Sequence, residues 1–184
     1  MKLLHSLFCT GTAMLLAACT APTQQQAARL GLRLPPAALG ASISLQQHLS
    51  VEREGRTDHL DAALEIDEDH VGLIGLAMGQ RVMSLNYDGK VLKTWRHALL
   101  PAPVRGEDVL EDIQLTYWPA DSIRAALPPG WRIEDHGRRR TLWSGDTPVA
   151  IIEYSAEPRW SGKVLLSNLR YHYRLTIQSV PNGQ

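Results

Sequence analysis

The sequence predicts a mainly β (α+β) fold: a single curved antiparallel sheet, or half-open barrel, of about ten strands with a mid-chain helical crossover covering the concave side. From about residue 43, short segments of alternating polar and apolar residues are separated by turn residues, a pattern typical of half-buried strands. Over residues 106–127 the apolar spacing becomes helical, and strands return afterwards. Because no βαβ alternation occurs, the strands are expected to pair antiparallel, and about ten such strands must curl or close.

The first 19 residues have the order of a lipoprotein signal. Met1-Lys2 is a short basic start, an apolar run follows, and small residues precede Cys19. This order is typical of a secretory signal, and the run is too short for a stable membrane span. Leu16-Ala17-Ala18-Cys19 resembles the bacterial lipobox, in which the cysteine is lipidated and becomes the new N-terminus. An ordinary signal peptide with a chance cysteine is the alternative.

These features predict the domain boundaries and the location of the protein. We expect a signal peptide over residues 1–18, a lipidated Cys19 with a flexible tether over residues 19–35, and one β domain over residues 36–184. Three acyl chains exceed the two signals that stable anchoring needs. Thr20 is not Asp, which under the sorting pattern of Gram-negative lipoproteins implies the outer membrane. The domain is expected on the periplasmic face rather than the outside.

The first half of the domain is predicted to form a meander. Strands are expected over residues 44–53, 60–66, 71–78, 82–87 and 90–95. Apolar residues from Leu60 to Ile66 fall on one face with strict period two. Residues 71–78 are apolar on both faces, which predicts a central strand covered on each side. Asp88-Gly89 is a strong hairpin signal between the last two strands.

The middle of the chain is predicted to hold two helices. Val109, Leu110, Ile113 and Tyr117 have helical spacing, and acidic side chains in the first turns suit the helix dipole. Pro119 can open a second short helix. Asp112 and Gln114 are predicted to pin the first helix to the sheet. The remaining strands are expected over residues 131–134, 140–143, 149–154, 164–170 and 173–180.

Composition excludes several classes of protein. Both cysteines lie at or before position 19, which excludes a disulfide scaffold, a Cys-rich zinc site and a cysteine nucleophile in the folded part. The 19 basic and 19 acidic side chains balance, which argues against a nucleic-acid partner. The serines form no Gly-x-Ser-x-Gly motif and the histidines are scattered. We therefore predict no catalytic residue, no metal, no cofactor and no enzyme activity. Arg138-Arg139-Arg140 is predicted to form a solvated hairpin.

The chain has five Trp and five Tyr, and they are spread along the predicted strands and the crossover. Indole and phenol rings suit a cavity that holds a largely apolar ligand with a polar end, although ordinary core packing is the alternative. Flexible methionines would add to such a lining. The candidate cavity residues are Leu73, Met78, Met83, Tyr87, Trp95, Ile113, Tyr117, Trp118 and Tyr154.

Several of these segments resemble a family of bacterial lipoproteins, often encoded beside aryl-polyene or fatty-acid-like synthesis genes. The resemblance is carried by Asp61–Ile66, the Gly79-Gln80-Arg81 turn, Leu85-Asn86-Tyr87-Asp88-Gly89, and Asp112-Ile113-Gln114-Leu115 followed by Trp118-Pro119. The overall layout also resembles the LolA/LolB-like lipoprotein-carrier fold. That resemblance implies a half-barrel whose concave face shelters acyl or polyenyl chains, and it supplies no catalytic residues.

Three functional hypotheses follow. The first is an outer-membrane lipoprotein that binds or hands on an acyl or polyenyl lipid, or a lipoprotein, in a hydrophobic cavity. The alternative is a non-catalytic assembly or scaffold lipoprotein for an envelope synthesis or export complex. A hydrolase or transferase acting on an envelope lipid is the third. The expected partners are the membrane, through the anchor, and a hydrophobic ligand or lipoprotein, and a monomer is expected.

Overall fold

The computed structural model describes residues 29–101 and 103–182. The predicted signal peptide, Cys19 and the first part of the predicted tether lie outside these residues. The strands are β1 (Ile43–Arg53), β2 (Arg56–Ile66), β3 (Val71–Ala77), β4 (Gln80–Tyr87), β5 (Leu92–Arg96), β6 (Trp131–His136), β7 (Arg139–Ser144), β8 (Thr147–Tyr154), β9 (Gly162–Asn168) and β10 (Tyr173–Pro181). The helices are α1 (Gly106–Tyr117) and α2 (Ala120–Ala126), and a 3₁₀ turn spans Pro36–Leu39.

All ten strands form one open antiparallel sheet in the order β5-β4-β3-β2-β1-β10-β9-β8-β7-β6. The first strand and the last pair at its centre, from Leu45 opposite Pro181 to Arg53 opposite Tyr173. The two edge strands, β5 and β6, are therefore the ones that the helices connect. The crossover runs from one edge of the sheet to the other over its concave side, and the predicted fold class is confirmed.

Local sequence accounts for most of the strands and turns. In β2 the inward positions Ala62, Leu64 and Ile66 are buried, as their alternation predicts. The predicted hairpin after Tyr87 is confirmed, because the Asp88 carboxylate accepts backbone N–H bonds from Lys90 at 2.9 Å and Val91 at 2.7 Å. This side-chain turn fixes the loop before β5 begins.

The prediction that residues 71–78 are covered on both faces is wrong. Val71 and Leu73 are buried on the concave side, but Ile74 on the convex side is 45% exposed. The reason is that α1 and α2 pack on one side of the sheet only. Gly72, which shares the convex face with Ile74, has no side chain to bury, so apolar composition here does not indicate a second layer.

Residues 29–39, which we call the strap, lie along the helices. Leu32, Leu34 and Leu39 are buried in the main hydrophobic cluster. Residues 29–35 therefore belong to the folded domain and not to a flexible tether as predicted, because alternating leucines find apolar partners under the helices. We call the strap, α1 and α2 together the cover.

The cover packs closely on the concave face. Leu110, Leu115 and Ile123 of the helices are fully buried against side chains from the sheet. At the start of α1, a Cβ on Gly106 would collide with the side chain of Thr94 in β5, so glycine allows the helix to begin directly on the edge strand. Among the described residues, the structure contains no helix with the length and apolar character needed to span a membrane.

Candidate functional site

The interface between the cover and the concave face brings together most of the predicted cavity residues. Six of them lie in one hydrophobic cluster: Leu73, Tyr87, Ile113, Tyr117, Trp118 and Tyr154. Met83 lies in a smaller neighbouring cluster with Val82 and Leu100. These seven side chains come from the sheet and from α1 or its C-cap. They form an apolar interior in which the aromatic residues carry the polar groups.

Met78 and Trp95 are not brought into this interior. Met78 is 94% exposed in the two-residue turn between β3 and β4, where Met78 and Gly79 both have positive φ. That conformation is typical of a tight hairpin and directs the chain away from the core. Trp95 is 43% exposed on the edge strand β5, with the Arg81 guanidinium 4.8 Å from its ring centroid. Neither residue can line a cavity under the cover in this arrangement.

Four side chains form a polar cluster at the C-terminal end of α1, and we call them the clamp: Asp135, Arg140, Tyr154 and Arg159. Arg140 is 1% exposed and donates to the Leu115 carbonyl oxygen at 2.5 Å and to Asp135 Oδ2 at 2.9 Å. The Tyr154 hydroxyl donates to the Thr116 carbonyl oxygen at 2.8 Å. These groups satisfy carbonyls that have no partner within the helix, and the cation suits the negative end of its dipole.

Asp135 is the acidic partner of both arginines of the clamp. Arg159 donates to both carboxylate oxygens of Asp135, at 2.7 and 2.6 Å, in the two-pronged geometry that makes such pairs strong. Burial by itself raises the pKa of Asp135, but the hydrogen bonds from Arg159 and Arg140 outweigh it and leave this pKa below its ordinary value. The carboxylate therefore stays charged at neutral pH.

A second polar cluster, which we call the latch, holds the middle of α1 and consists of Glu111, Asp112, Arg170 and Tyr173. The side chains of Glu111 and Arg170 are 3% and 4% exposed and form an ion pair. Glu111 also accepts the Gly31 backbone N–H at 2.8 Å, which ties the strap to the same point. The Tyr173 hydroxyl donates to Asp112 Oδ2.

The latch and the clamp shift the pKa of their aspartic acids in opposite directions. Burial raises the pKa of Asp112 to about 7, although the hydrogen bond from Tyr173 partly opposes this shift. Burial also raises the pKa of Tyr173 far above its ordinary value, so this phenol stays neutral. Asp112 therefore has a neutral donor as its partner, and its raised pKa places its titration near neutral pH.

Amide side chains complete the attachment of the cover. Gln114 donates to the Leu34 carbonyl oxygen at 2.8 Å and accepts the Leu34 N–H at 3.1 Å. Gln114 thus pins α1 to the strap and not to the sheet, whereas Asp112 contacts the sheet as predicted. In the middle of the interior, Gln47 donates to the Tyr117 hydroxyl at 2.9 Å and to Ser179 Oγ at 3.0 Å. Burial raises the pKa of Tyr117 to about 12.

Several of these residues were missed by sequence analysis. The prediction of a solvated hairpin is wrong for Arg140, because the residue shares the inward face of β7 with Leu142. The alternation of Arg140 and Leu142 was the signal that could have found it. Arg159, Arg170 and Tyr173 carried no such signal, because their partners lie on elements that the chain brings together only on folding.

Two open pockets in the described part of the molecule lie outside the interior. One of about 450 Å³ lies between the β1–β2 hairpin and the β9–β10 turn. The other, of about 420 Å³, lies on the convex face of β2 to β5 beside Ile74 and Trp95. Buried side chains of the cover and of the concave face pack against each other, and we call this arrangement the closed form. Among the described residues no group of three or more His, Cys, Asp or Glu side chains could hold a metal ion.

These features define a class of protein: an open ten-stranded half-barrel with a helical cover held by buried polar side chains. The chain belongs to the family described as Protein of unknown function (DUF3261), which matches residues 44–181. No curated protein matches the sequence.

Two solved structures are similar to this chain. A LolA superfamily protein from Nitrosomonas europaea has 9% identity and a TM-score of 0.38, covering 80% of this chain and 91% of that one. A DUF1329 family protein from Desulfovibrio piger has 10% identity and a TM-score of 0.35, covering 82% of this chain and 88% of that one.

Proposed function

We propose that this protein is a non-catalytic lipoprotein of the bacterial outer membrane that binds and hands on an acyl or polyenyl chain, free or carried by another lipoprotein. The chain would lie between the concave face and the cover. The observation that carries the proposal is the way the cover is attached. Among the described residues, no backbone hydrogen bond joins α1 or α2 to a strand.

Side chains alone make the polar attachments between the helices and the sheet. The clamp, the latch and Tyr117 supply them. Because no strand ladder crosses this interface, the cover can leave the sheet while all ten strands stay paired. Lifting it would expose a continuous apolar surface that includes Leu64, Leu73 and Leu166, which are buried in the closed form.

The energetics suit a reversible carrier. Burial is worth roughly 0.8 kcal/mol per CH₂, so a long acyl chain gains on the order of 10 kcal/mol when it leaves water. Displacing the cover exposes apolar side chains and breaks buried hydrogen bonds, which consumes part of that gain. The net affinity is then modest, as a carrier that must release its cargo requires.

A titration with a fluorescent fatty acid tests the proposal, and two isoleucines provide a matched pair. Ile113 lies on the side of α1 that packs against the sheet, and Ile74 lies on the convex face. We expect saturable binding in the micromolar range by the delipidated protein. Ile113→Ala removes lining atoms and should weaken binding several-fold, whereas Ile74→Ala removes the same atoms elsewhere and should leave it unchanged. Absence of saturable binding below millimolar concentration, or equal effects of the two variants, would contradict the proposal.

The packed interior favours a second candidate, an assembly or scaffold lipoprotein for an envelope synthesis or export complex. In that case the cover is permanent and the convex face, where Ile74 and Trp95 are exposed, contacts the partner. Mass spectrometry of lipids that copurify with the intact protein separates the two functions. A stoichiometric acyl or polyenyl lipid supports the carrier, and a lipid-free protein that also fails the titration supports the scaffold.

A further inference from the structure

The middle and the C-terminal end of α1 are held by different chemistry. At the C-terminal end the clamp contains two arginines around Asp135, whose pKa lies below its ordinary value. Arginine stays protonated at all relevant pH values, so this attachment does not change near neutrality. Near the middle of the helix, the polar attachment depends on the carboxyl groups of Glu111 and Asp112.

Charged and titratable groups face the latch from three elements. On α1 itself, Asp108 and Glu111 lie one turn and one residue before Asp112. Arg29 of the strap pairs with Asp108 at 3.2 Å, and Arg170 pairs with Glu111. Tyr173 of β10 supplies the hydroxyl that Asp112 accepts, and Tyr171 in the preceding turn lies near Arg170, with the guanidinium 4.4 Å from its ring centroid.

Asp112 is the least well compensated of the three carboxyl groups. Each of its two acidic neighbours has an arginine partner, whereas the hydrogen bond described for Asp112 comes from a neutral phenol. Arg170 attracts a charged Asp112, but Glu111 and Asp108 repel it. Asp112 is only partly exposed, and a charged carboxylate at such a site, whose described donor is a neutral phenol, is costly. Protonation removes that cost.

We propose that Asp112 is a proton-operated switch for the cover. With the proton bound, the N-terminal half of α1 stays on β10. When the proton leaves, that half swings away from the sheet while the clamp holds the other end as a pivot. Opening of the cover would give an acyl chain access to the interior. Only this biological use of the switch rests on the proposed function.

The direction of the pH effect follows from the cause of the pKa shift. Burial raises the pKa of Asp112 to about 7 in the closed form, above the value of an exposed aspartic acid. The proton therefore stabilises the closed form fully at acid pH. This stabilisation declines as the pH rises and is lost once the pH passes through about 7.

Hydrogen exchange of the full chain without lipid tests the switch. Exchange of residues 106–113 is followed by mass spectrometry between pH 5 and pH 8, after correction for the intrinsic rate at each pH. We expect opening of this half of α1 to increase at least about tenfold over the range, with a smaller change in β1 and β10. Asp112→Asn mimics the protonated form and should abolish the increase. Asp121→Asn, on the exposed side of α2, should preserve it.

Three outcomes decide the matter. A pH-independent opening in the native protein overturns the switch, as does an Asp112→Asn variant with the native pH response. If Asp112→Asn does not fold, Tyr173→Phe takes its place. Loss of the hydroxyl raises the pKa of Asp112 further, so the opening transition should shift to higher pH. An unshifted transition overturns the proposal. The exchange experiment contains no lipid, so its result does not depend on whether the protein binds fatty acid. Failure of the switch and failure of lipid binding are therefore measured separately.

Discussion

Arg140 shows how a single buried charge can position a helix. Its donors reach Asp135 and the Leu115 carbonyl oxygen, so the side chain joins β6 and β7 to the last turn of α1. Removing one partner from a buried ion pair leaves the other groups without compensation. In this clamp Arg159 would still neutralise Asp135, and the uncompensated group would be the helix carbonyl.

We therefore predict that Arg140→Met lowers the free energy of unfolding by about 2–4 kcal/mol. Methionine retains much of the packing volume, so the loss reports on the polar contacts. Arg139, its neighbour in the same strand, is exposed, and Arg139→Met is the matched control with an expected change below about 0.5 kcal/mol. Urea denaturation measures both variants. Equal losses in the two variants would show that the clamp does not support the fold.

At the scale of elements, the strap is the least expected part of the fold. Gln114 bonds both backbone groups of Leu34, and the Trp118 indole donates to the Pro35 carbonyl oxygen at 3.1 Å. The strap is therefore held by the side chains of Gln114 in α1 and Trp118 at its C-cap, and not by pairing with a strand. Its attachment can be weakened without disturbing the sheet.

Gln114→Ala is predicted to loosen the strap. The substitution leaves the buried N–H and C=O of Leu34 without partners, at a cost of about 1–3 kcal/mol, and local opening then exposes the peptide bond after Arg33. Limited trypsin digestion followed by mass spectrometry should show cleavage after Arg33 accelerated at least several-fold. Gln178→Ala, at an exposed position of β10, should cleave at the native rate. If Gln114→Ala does too, the amide does not hold the strap.

What sequence analysis could predict follows from the range of each interaction. The alternation in β2, the Asp88 turn and the apolar spacing of α1 depend on neighbours a few residues away, and all three were predicted. The pairing of β1 with β10 joins residues about 130 positions apart and leaves no local pattern. Residues 29–35 of the strap were predicted to be a flexible tether, because their partner α1 lies about 80 residues further along the chain and leaves no local pattern.

The candidate site shows the same division. Ile113 and Tyr117 lie on the side of α1 that helical spacing predicts to be apolar, and both are buried in the main cluster, as is Trp118 at the C-cap. Met78 was placed in the cavity on composition alone, although a tight turn with positive φ excludes it. The latch could not be predicted from the sequence, because the pairing of β10 with β1 is what places Arg170 and Tyr173 beside α1.

At the scale of the whole molecule, the order of the strands explains why one cover suffices. Because β1 and β10 pair at the centre, the chain leaves the sheet at one edge and returns at the other. The two helices must therefore cross the concave face, and the strap enters beside them before β1 begins. Both connections between the cover and the sheet edges are loops, so the sheet does not have to unfold for the cover to move.

The predicted lipid anchor attaches to this cover and not to the sheet. Cys19 lies outside the described residues, and nine residues, from Thr20 to Ala28, separate it from the strap. Fully extended, such a segment spans at most roughly 35 Å. An anchored domain would therefore stay close to the bilayer, with the strap and the latch as its nearest parts along the chain.

We predict that Cys19→Ala abolishes palmitate labelling of the full-length protein in a Gram-negative host, because the acyl chains are attached there. Cys9→Ala is the matched control, since the only other cysteine lies within the predicted leader, and it should retain the label. Thr20→Asp should keep the label but move the protein from the outer to the inner membrane. A Cys19→Ala protein that is still labelled would contradict lipidation, and an unmoved Thr20→Asp protein would contradict the predicted sorting.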